Sequence, residues 1–268
     1  MTDIQQKIQE LKAAGKEMPA PEMIKNAEQI DKIRLAGKLN TAALDLVAKN
    51  IKIGIKTEEL DRLVYEFLIQ HGGRPADLAY MGYPKSICTS VNDEICHGVP
   101  NDYALKNGDI VNVDITTELN GYYADASRMF IVGRANKRAT DLVNITRECL
   151  KRGIAAAQAW ANVGDIGAAV SAMAYKHGYS IMKEYGGHGV GIEMHEDPFI
   201  CHVGKKGQGM VLVPGMIITV EPMINEGTDE WYEDTENGWT VYTADGKLSA
   251  QWENTILITE HGPEILTE

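Results

Sequence analysis

Apolar positions along the chain follow two periods, and the change from one period to the other repeats. Helical spacing covers residues 24–51 and 58–71, and strand-like segments follow to about Val132. The same order then returns, with helical spacing over 138–160 and 165–177 and strands after them. This repeated order predicts an α+β fold built from two related halves.

The first 22 residues differ from the body of the chain. Their apolar residues have helical spacing and predict a short amphipathic helix: Ile4, Ile8 and Leu11. Gly15, Pro19 and Pro21 then end the helix and form a linker. We expect a peripheral helix that packs on the body, with a partner-binding arm as the alternative. Residues 23–268 are predicted to form a single domain.

A strand pattern followed by a turn signal identifies a hairpin. Residues 109–118 alternate between apolar and polar side chains, which is the period of a strand. Asn120-Gly121 is typical of a two-residue hairpin turn, and residues 122–132 form the returning strand.

Two aspartates of this hairpin are predicted to share a face. Asp125 lies opposite Thr116 if the loop has two residues, and Thr116 is two residues from Asp114. The two aspartates are then diagonal neighbours, about 7–8 Å apart between backbones, so both carboxylates can reach a common ion. A slip of one residue in the register would separate them.

Three further segments place polar side chains among glycine or apolar residues. Residues 186–198 contain His188 between glycines, which allow the backbone to approach a ligand closely. His195 is seven residues further on, so a regular strand would put the two histidines on opposite faces and give them different roles. Glu221 ends an apolar strand before a proline, and Glu253 lies on one face of a strand over 249–259.

The distribution of charge along the chain bears on the role of these carboxylates. The chain has a net charge of −12, yet no Lys or Arg occurs in the four segments that hold the acidic residues: 109–127, 185–200, 211–225 and 249–259. Four carboxylates buried together cost several kcal/mol unless they are paired. They are therefore solvated and apart, or protonated, or joined by a cation. Two divalent cations would neutralise four carboxylates, and with one imidazole the ligand set suits Mn, Fe, Co or Zn.

Composition narrows the class of protein. The acidic balance disfavours a nonspecific binder of nucleic acid or of anionic membranes, and no apolar run approaches the roughly 20 residues that span a bilayer. The four cysteines lack metal or redox spacing, and the N-terminus lacks a secretory signal. We expect a cytoplasmic protein.

The ordered set Asp114, Asp125, His188, Glu221 and Glu253 resembles the metal-ligand set of the methionine aminopeptidases. The resemblance extends from about Ile24 to the end of the chain and is closest to the bacterial-like type I form. It is supported by the segments GYPKSICTSVNDEICHGVP, GGHGVGIEMHEDP, MIITVEPM and SAQWENTILIT.

This resemblance implies a pita-bread (creatinase/aminopeptidase) fold, with two pseudo-symmetric halves around an antiparallel sheet. It implies removal of the initiator methionine by a metallopeptidase with two divalent ions, which would be Co, Mn, Fe or Zn. His97 and His195 would contact the substrate, and Glu221 would carry the proton to the leaving nitrogen. The wall of the side-chain pocket would be formed by Tyr80, Tyr83, Cys88 and Trp239. Met194 departs from the aromatic residue common in the family and is expected to change the pocket's shape.

The expected partners are peptides and nascent chains that begin with methionine, with a transient ribosome contact and no membrane or nucleic-acid substrate. We expect a monomer. One alternative is a prolidase or aminopeptidase P-like enzyme, which shares the ligand set but usually has a large N-terminal domain. The other is a non-catalytic pita-bread protein that binds protein or RNA.

Overall fold

The computed structural model describes residues 3–268. Its five α-helices occur as an N-terminal helix followed by two pairs: α1 Asp3–Ala13, α2 Ala27–Asn50, α3 Thr57–Gln70, α4 Lys137–Ala156 and α5 Val163–Lys176. No helix among the described residues is long and apolar enough to cross a membrane.

Fifteen strands follow the helix pairs in two groups. The first group is β1 Arg74–Pro75, β2 Cys88–Val91, β3 Glu94–Cys96, β4 Ile110–Leu119 and β5 Tyr122–Ile131. The second group begins with β6 Ser180–Ile181, β7 Gly187–Gly189, β8 Glu196–Ile200, β9 Ile217–Val220 and β10 Met223–Asn225. It ends with β11 Trp231–Glu233, β12 Val241–Thr243, β13 Ser249–Gln251, β14 Asn254–Thr259 and β15 Gly262–Ile265.

All pairings between these strands are antiparallel. The central strand β4 pairs with β5 on one side and with β1 and β2 on the other. The second half contributes a five-stranded sheet in the order β15-β14-β9-β7-β8 and a three-stranded sheet in the order β13-β10-β6. The repeated order of two helices and then strands confirms the predicted α+β fold of two halves.

Each helix pair covers its own half. Helices α2 and α3 bury Leu44 and Leu60 against Val113 and Ile115 of β4. Helices α4 and α5 bury residues of a second cluster against β9 and β14: Leu150, Ile166, Val220 and Ile256. Gly153 allows this close packing, because a Cβ there would lie 2.9 Å from side-chain atoms of Val170 and Val220.

The predicted hairpin is present with the expected register. Leu119 pairs with Tyr122, and Thr116 pairs with Asp125. Asn120 and Gly121 form the loop with φ of 55° and 84°, as a turn with two left-handed residues requires. The two aspartates therefore share a face, as predicted from the loop length.

The helix predicted over 138–160 is shorter in the structure and ends at Ala156. Ala157 leaves helical geometry with ψ of 54°, and Trp160 has a left-handed φ of 71°. The Trp160 N–H instead donates to the carbonyl oxygen of Leu212, at 2.7 Å. A long-range backbone bond thus replaces the last helical turn.

The N-terminal helix α1 lies against the second half. Ile4, Ile8 and Leu11 pack on the cluster that contains Val220 and Ile256. The Val211 N–H donates to the carbonyl oxygen of Glu17, and this bond ties the segment after α1 to the body.

Candidate metal and substrate site

One cavity lies between the two halves, with a volume of about 380 Å³. It is lined by all five predicted ligands and by the predicted substrate residues: Asp114, Asp125, His188, Glu221, Glu253, His97, His195, Tyr80, Tyr83, Cys88 and Trp239. Within the described part of the chain, no Lys or Arg lines it. The absence of Lys and Arg noted in the four sequence segments therefore also holds in the folded cavity.

The central hairpin provides two carboxylates. Asp125 is only 5% exposed, and its Oδ2 accepts a hydrogen bond of 2.9 Å from the Thr116 hydroxyl on the facing strand. Asp114 projects from β4 on the same face and lies against both Asp125 and Glu253. The hairpin register is thus what brings the two aspartates into one cavity.

The two glutamates lie where the chain leaves one sheet and enters another. Glu221 separates β9 from β10, and Glu253 separates β13 from β14. Strand pairs flank both breaks, because Val220 pairs with Asn254 and Met223 pairs with Gln251. This arrangement differs from the continuous strand predicted over 249–259. The breaks turn both glutamate side chains into the cavity.

His188 faces the carboxylates. Its Nε2 lies 3.8 Å from Asp125 Oδ2 and 3.6 Å from Glu221 Oε1. Its Nδ1 lies 2.8 Å from the Gly189 carbonyl oxygen, an arrangement that places the proton on Nδ1 and leaves Nε2 free to ligate. Gly187 allows this strand to approach β9, because a Cβ there would lie 2.4 Å from the Thr219 carbonyl oxygen.

The residues present fit a divalent cation. One ligand atom from each of Asp125, His188 and Glu253 falls within 4.8 Å of the others. Asp125 Oδ1 and Glu253 Oε1 are buried and have no hydrogen-bond partner among residues 3–268. A buried carboxylate oxygen without a donor is costly, and a cation would satisfy both. Asp114 and Glu221 adjoin this cluster and supply two more carboxylates.

Burial and mutual repulsion both raise the pKa of the carboxyl groups in the cluster. Burial, and then the nearby Asp125, raise the pKa of Asp114 and of Glu253 well above the usual range. Burial raises the pKa of Glu221 to about 8. The metal-free cluster therefore favours protons that a cation would displace.

The two histidines that were predicted to lie on opposite faces share the cavity, so that prediction was wrong. Their rings lie 4.3 Å apart between centroids. His188 belongs to β7, whereas His195 ends the loop that leads into β8. The alternation of a single strand does not apply, because the chain reverses direction between the two residues.

Tyr80, His97 and His195 line the cavity beside the cluster. His195 Nδ1 lies 3.0 Å from the Tyr80 hydroxyl. Burial lowers the pKa of His97 and of His195 to about 4, so both imidazoles are neutral at pH 7. His97 adopts a left-handed φ of 54°, a costly backbone conformation for this residue type.

The predicted pocket wall is assembled beside the cluster. The rings of Tyr83 and Trp239 meet edge to face with centroids 5.1 Å apart. Tyr83 is buried, and its hydroxyl donates to the carbonyl oxygens of Ile87 and Gly98. Cys88 is buried as a free thiol, and Met194 closes the cavity with only 8% exposure. The wall therefore offers an apolar space next to the carboxylates.

Sequence reasoning missed several residues of the site. Thr219 donates to Glu221 Oε1 at 2.8 Å and accepts from the His188 N–H at 2.9 Å, so it holds two predicted ligands together. Its position in β9, two residues before Glu221, was an available signal. Asp77 and Tyr185 also line the cavity, and no local pattern marks either of them.

Comparison with known proteins agrees with this geometry. The family model described as metallopeptidase family M24 matches residues 31–260. The chain is 45% identical to a methionine aminopeptidase of Rickettsia prowazekii, over 88% of this chain and 91% of the relative. It is 48% identical to methionine aminopeptidase A of Synechocystis sp., over 89% of this chain and 94% of the relative. The chain belongs to metallopeptidase family M24.

Solved structures show the same fold. The crystal structure of methionine aminopeptidase from Rickettsia prowazekii matches with a TM-score of 0.90 and 44% identity, over 91% of this chain and 99% of that chain. The prolidase of Pyrococcus furiosus matches with a TM-score of 0.73 and 26% identity, over 92% of this chain but only 65% of that chain. The predicted pita-bread fold is confirmed, and membership of a metallopeptidase family implies the use of divalent metal.

Proposed function

We propose that this chain is a metalloaminopeptidase that removes the N-terminal methionine from peptides and nascent proteins. The observation that carries the proposal is the direct contact between the carboxylate–histidine cluster and a small apolar pocket in one cavity. A methionine side chain in that pocket would place its own carbonyl beside the cluster. The names of the relatives and their identity over nearly the whole chain support the same activity.

Five residues would hold two divalent ions, each of which is Co, Mn, Fe or Zn: Asp114, Asp125, His188, Glu221 and Glu253. Two ions would balance the four carboxylates, and His188 Nε2 would supply the nitrogen ligand. When bound, the ions would lower the pKa of a water molecule and supply hydroxide near neutral pH.

The protein's own side chains would orient the substrate and move protons. His97 and His195 are neutral at pH 7, so each retains an N–H that can donate to the substrate carbonyl oxygen as negative charge develops. Glu221 would carry a proton to the leaving amide nitrogen. Its hydrogen bonds from Thr219 and Gln251 hold the carboxylate in place for that role.

The pocket sets the specificity for the first residue. Tyr80, Tyr83, Cys88 and Trp239 would contact the methionine side chain. Met194 would form part of the same surface, since it is buried at the cavity. Its flexible thioether would make this part of the wall adaptable.

Other assignments follow from this function. We propose that residues 1–22 are an extension and that residues 23–268 are the catalytic domain. The enzyme would act as a monomer in the cytoplasm on chains leaving the ribosome, with a transient ribosome contact. The four free cysteines suit a reducing compartment.

Metal analysis combined with peptide hydrolysis tests the function. Purified protein loaded with Mn or Co is expected to contain two ions per chain and to cleave Met-Gly-Met but not X-Pro dipeptides. The metal-free protein is the control. Cleavage of X-Pro dipeptides in place of Met-Gly-Met would identify a prolidase-like enzyme. Metal binding without any hydrolysis would identify a non-catalytic member of the family.

A further inference from the structure

Exposed apolar side chains concentrate beside the active-site cavity. Ten large apolar residues are exposed in the described part of the chain. Five of them line the cavity or the groove next to it: Tyr65, Ile69, Leu78, Met81 and Phe199. A concentration of exposed apolar surface at one place marks a site of interaction.

The groove adjoins the cavity. It has a volume of about 470 Å³ and lies between α3, the loop before Tyr80 and the start of β5. Tyr80 and Met194 line both the groove and the cavity. A chain that leaves the reaction centre past these two side chains enters the groove directly.

The backbone shapes the wall that the two spaces share. Ala79 and Met81 have left-handed φ of 67° and 49°, on either side of Tyr80. The Tyr80 hydroxyl is held at 3.0 Å from His195 Nδ1. Tyr80, one of the two side chains that line both spaces, is therefore held at both its backbone and its side chain.

The charged residues that line the groove indicate which kind of peptide segment it would bind. Arg74, the one arginine of residues 3–268 that lines the groove, is paired with Glu118 at 2.5 Å. The exposed carboxylate of Glu193 forms no ion pair within residues 3–268. The groove thus combines an apolar floor with one unpaired negative charge at its edge, which suits an apolar segment that carries a basic residue.

We propose that this groove binds the substrate chain beyond its second residue, and that it selects apolar side chains at positions four and five followed by a basic residue. The proposal rests on the aminopeptidase function proposed above. Three extended residues span about 10 Å, so positions four and five of a bound chain can reach beyond Tyr80. Tyr65, Ile69 and Leu78 would contact these side chains.

One tripeptide and two hexapeptides of equal length test the groove separately from the reaction. Wild-type enzyme loaded with Mn is compared on Met-Ala-Ser, on Met-Ala-Ser-Leu-Leu-Lys and on Met-Ala-Ser-Ser-Ser-Lys. We expect kcat/KM to be about tenfold higher for the leucine peptide than for the serine peptide, which corresponds to about 1.4 kcal/mol. The double variant Ile69→Ser/Leu78→Ser is expected to reduce this ratio to about twofold or less.

Leu35→Ser is the matched control, because Leu35 is 53% exposed and lines neither space. It should keep the full ratio. Equal cleavage of the two hexapeptides by the wild type, or an unchanged ratio in the double variant, would overturn the groove proposal. A dimer that the double variant converts to a monomer in light scattering would assign the patch to a second copy and also overturn it.

The two proposals fail in different ways. Cleavage of Met-Ala-Ser by the wild type without any preference between the hexapeptides would contradict the groove proposal and leave the proposed aminopeptidase function intact. Failure of the metal-loaded protein to cleave any of the three peptides removes both.

Discussion

At the scale of single residues, the site combines carboxylates that repel one another unless a cation is bound. Asp114, Asp125, Glu221 and Glu253 share one cavity, and no Lys or Arg of residues 3–268 lines it. The Thr116 hydroxyl donates a hydrogen bond to Asp125, and the Thr219 hydroxyl donates one to Glu221. Burying four carboxylates together costs free energy, and this cost is the physical reason that the cluster suits divalent metal ions.

Replacing one ligand is expected to raise the stability of the metal-free protein and to lower that of the metal-bound protein. Glu253→Gln removes a carboxyl that must either take up a proton or be buried as a charge when the metal-free protein folds, so we expect the metal-free variant to be more stable at pH 8 by about 1 kcal/mol. With Mn present, the variant should lose most of the metal-induced rise in Tm and nearly all turnover. Thermal melts with and without metal measure both effects.

Glu260→Gln is the control for that experiment, because Glu260 is exposed in the same C-terminal region. It should leave both melting curves close to wild type. Full turnover of Glu253→Gln would contradict the assignment of Glu253 as a ligand.

Glu94 gives a second prediction, away from the ligands. Burial raises the pKa of its carboxyl to about 7, although Val91 N–H and the Tyr242 hydroxyl donate to it. A carboxyl whose pKa is raised on folding stabilises the fold when protonated, and that contribution is lost as pH rises through the folded pKa. Relative to Glu94→Gln, wild type should lose up to about 3 kcal/mol between pH 5 and pH 8.

Urea denaturation of both proteins across that pH range measures the difference. Glu230→Gln, which replaces an exposed carboxylate, controls for the change in net charge. If wild type and Glu94→Gln give parallel stability curves from pH 5 to pH 8, the carboxyl is not held in its protonated form.

At the scale of elements, the loop that carries His195 is held by an ion pair. Glu196 accepts backbone N–H groups from Ile192 and Glu193, at 2.7 and 3.1 Å. The same carboxylate pairs with Lys25, whose side chain is only 1% exposed. The segment before α2 therefore anchors the loop between β7 and β8, which places one of the proposed substrate-contacting histidines.

Breaking this pair is expected to reduce both stability and activity. Lys25→Met leaves the Glu196 carboxylate without its cation, at a cost of about 3 kcal/mol. We expect kcat/KM to fall because the loop loses its anchor, while the metal content stays at the wild-type level. Urea denaturation, metal analysis and peptide kinetics measure the three quantities.

The double variant Lys25→Met/Glu196→Gln is the matched control. It removes the unpaired charge and should recover part of the lost stability. Stability losses that simply add in the double variant would show that the two side chains do not act as a pair.

At the scale of the whole molecule, the N-terminal helix adds to the core of the second half. Ile4, Ile8 and Leu11 contact the cluster that includes Val220, the residue before Glu221. The predicted amphipathic helix is present in the described residues as α1, with its apolar stripe on the body. The helix therefore supports the half that supplies both glutamates.

Polar substitutions on this stripe are expected to destabilise the protein without removing the site. Ile8→Ser/Leu11→Ser exposes the cluster under α1 and should lower the free energy of unfolding by about 2 kcal/mol. The variant should still bind metal at 20 °C. Gln9→Ser, on the exposed face of the same helix, is the control and should melt with wild type. An unchanged Tm in the double variant would show that α1 contributes nothing to the fold.

Much of the site could be predicted because its signals are local. Alternation over 109–118 and the Asn120-Gly121 turn determine the register of β4 and β5, and the register places Asp114 and Asp125 on one face. The helix pairs were also predicted from spacing within short segments. Spacing did not predict where the helices end: α4 ends at Ala156, because the Trp160 N–H forms a hydrogen bond with the distant Leu212 carbonyl oxygen.

The sequence by itself determined the fold class, the central hairpin and the excess of carboxylates in segments without basic residues. Only the tertiary structure decided that β9 and β13 break at Glu221 and Glu253, that His188 and His195 face one cavity, and that a groove adjoins it. Turns and alternation depend on neighbours in the chain. Sheet breaks, shared cavities and exposed patches depend on contacts between distant segments, which no local pattern records.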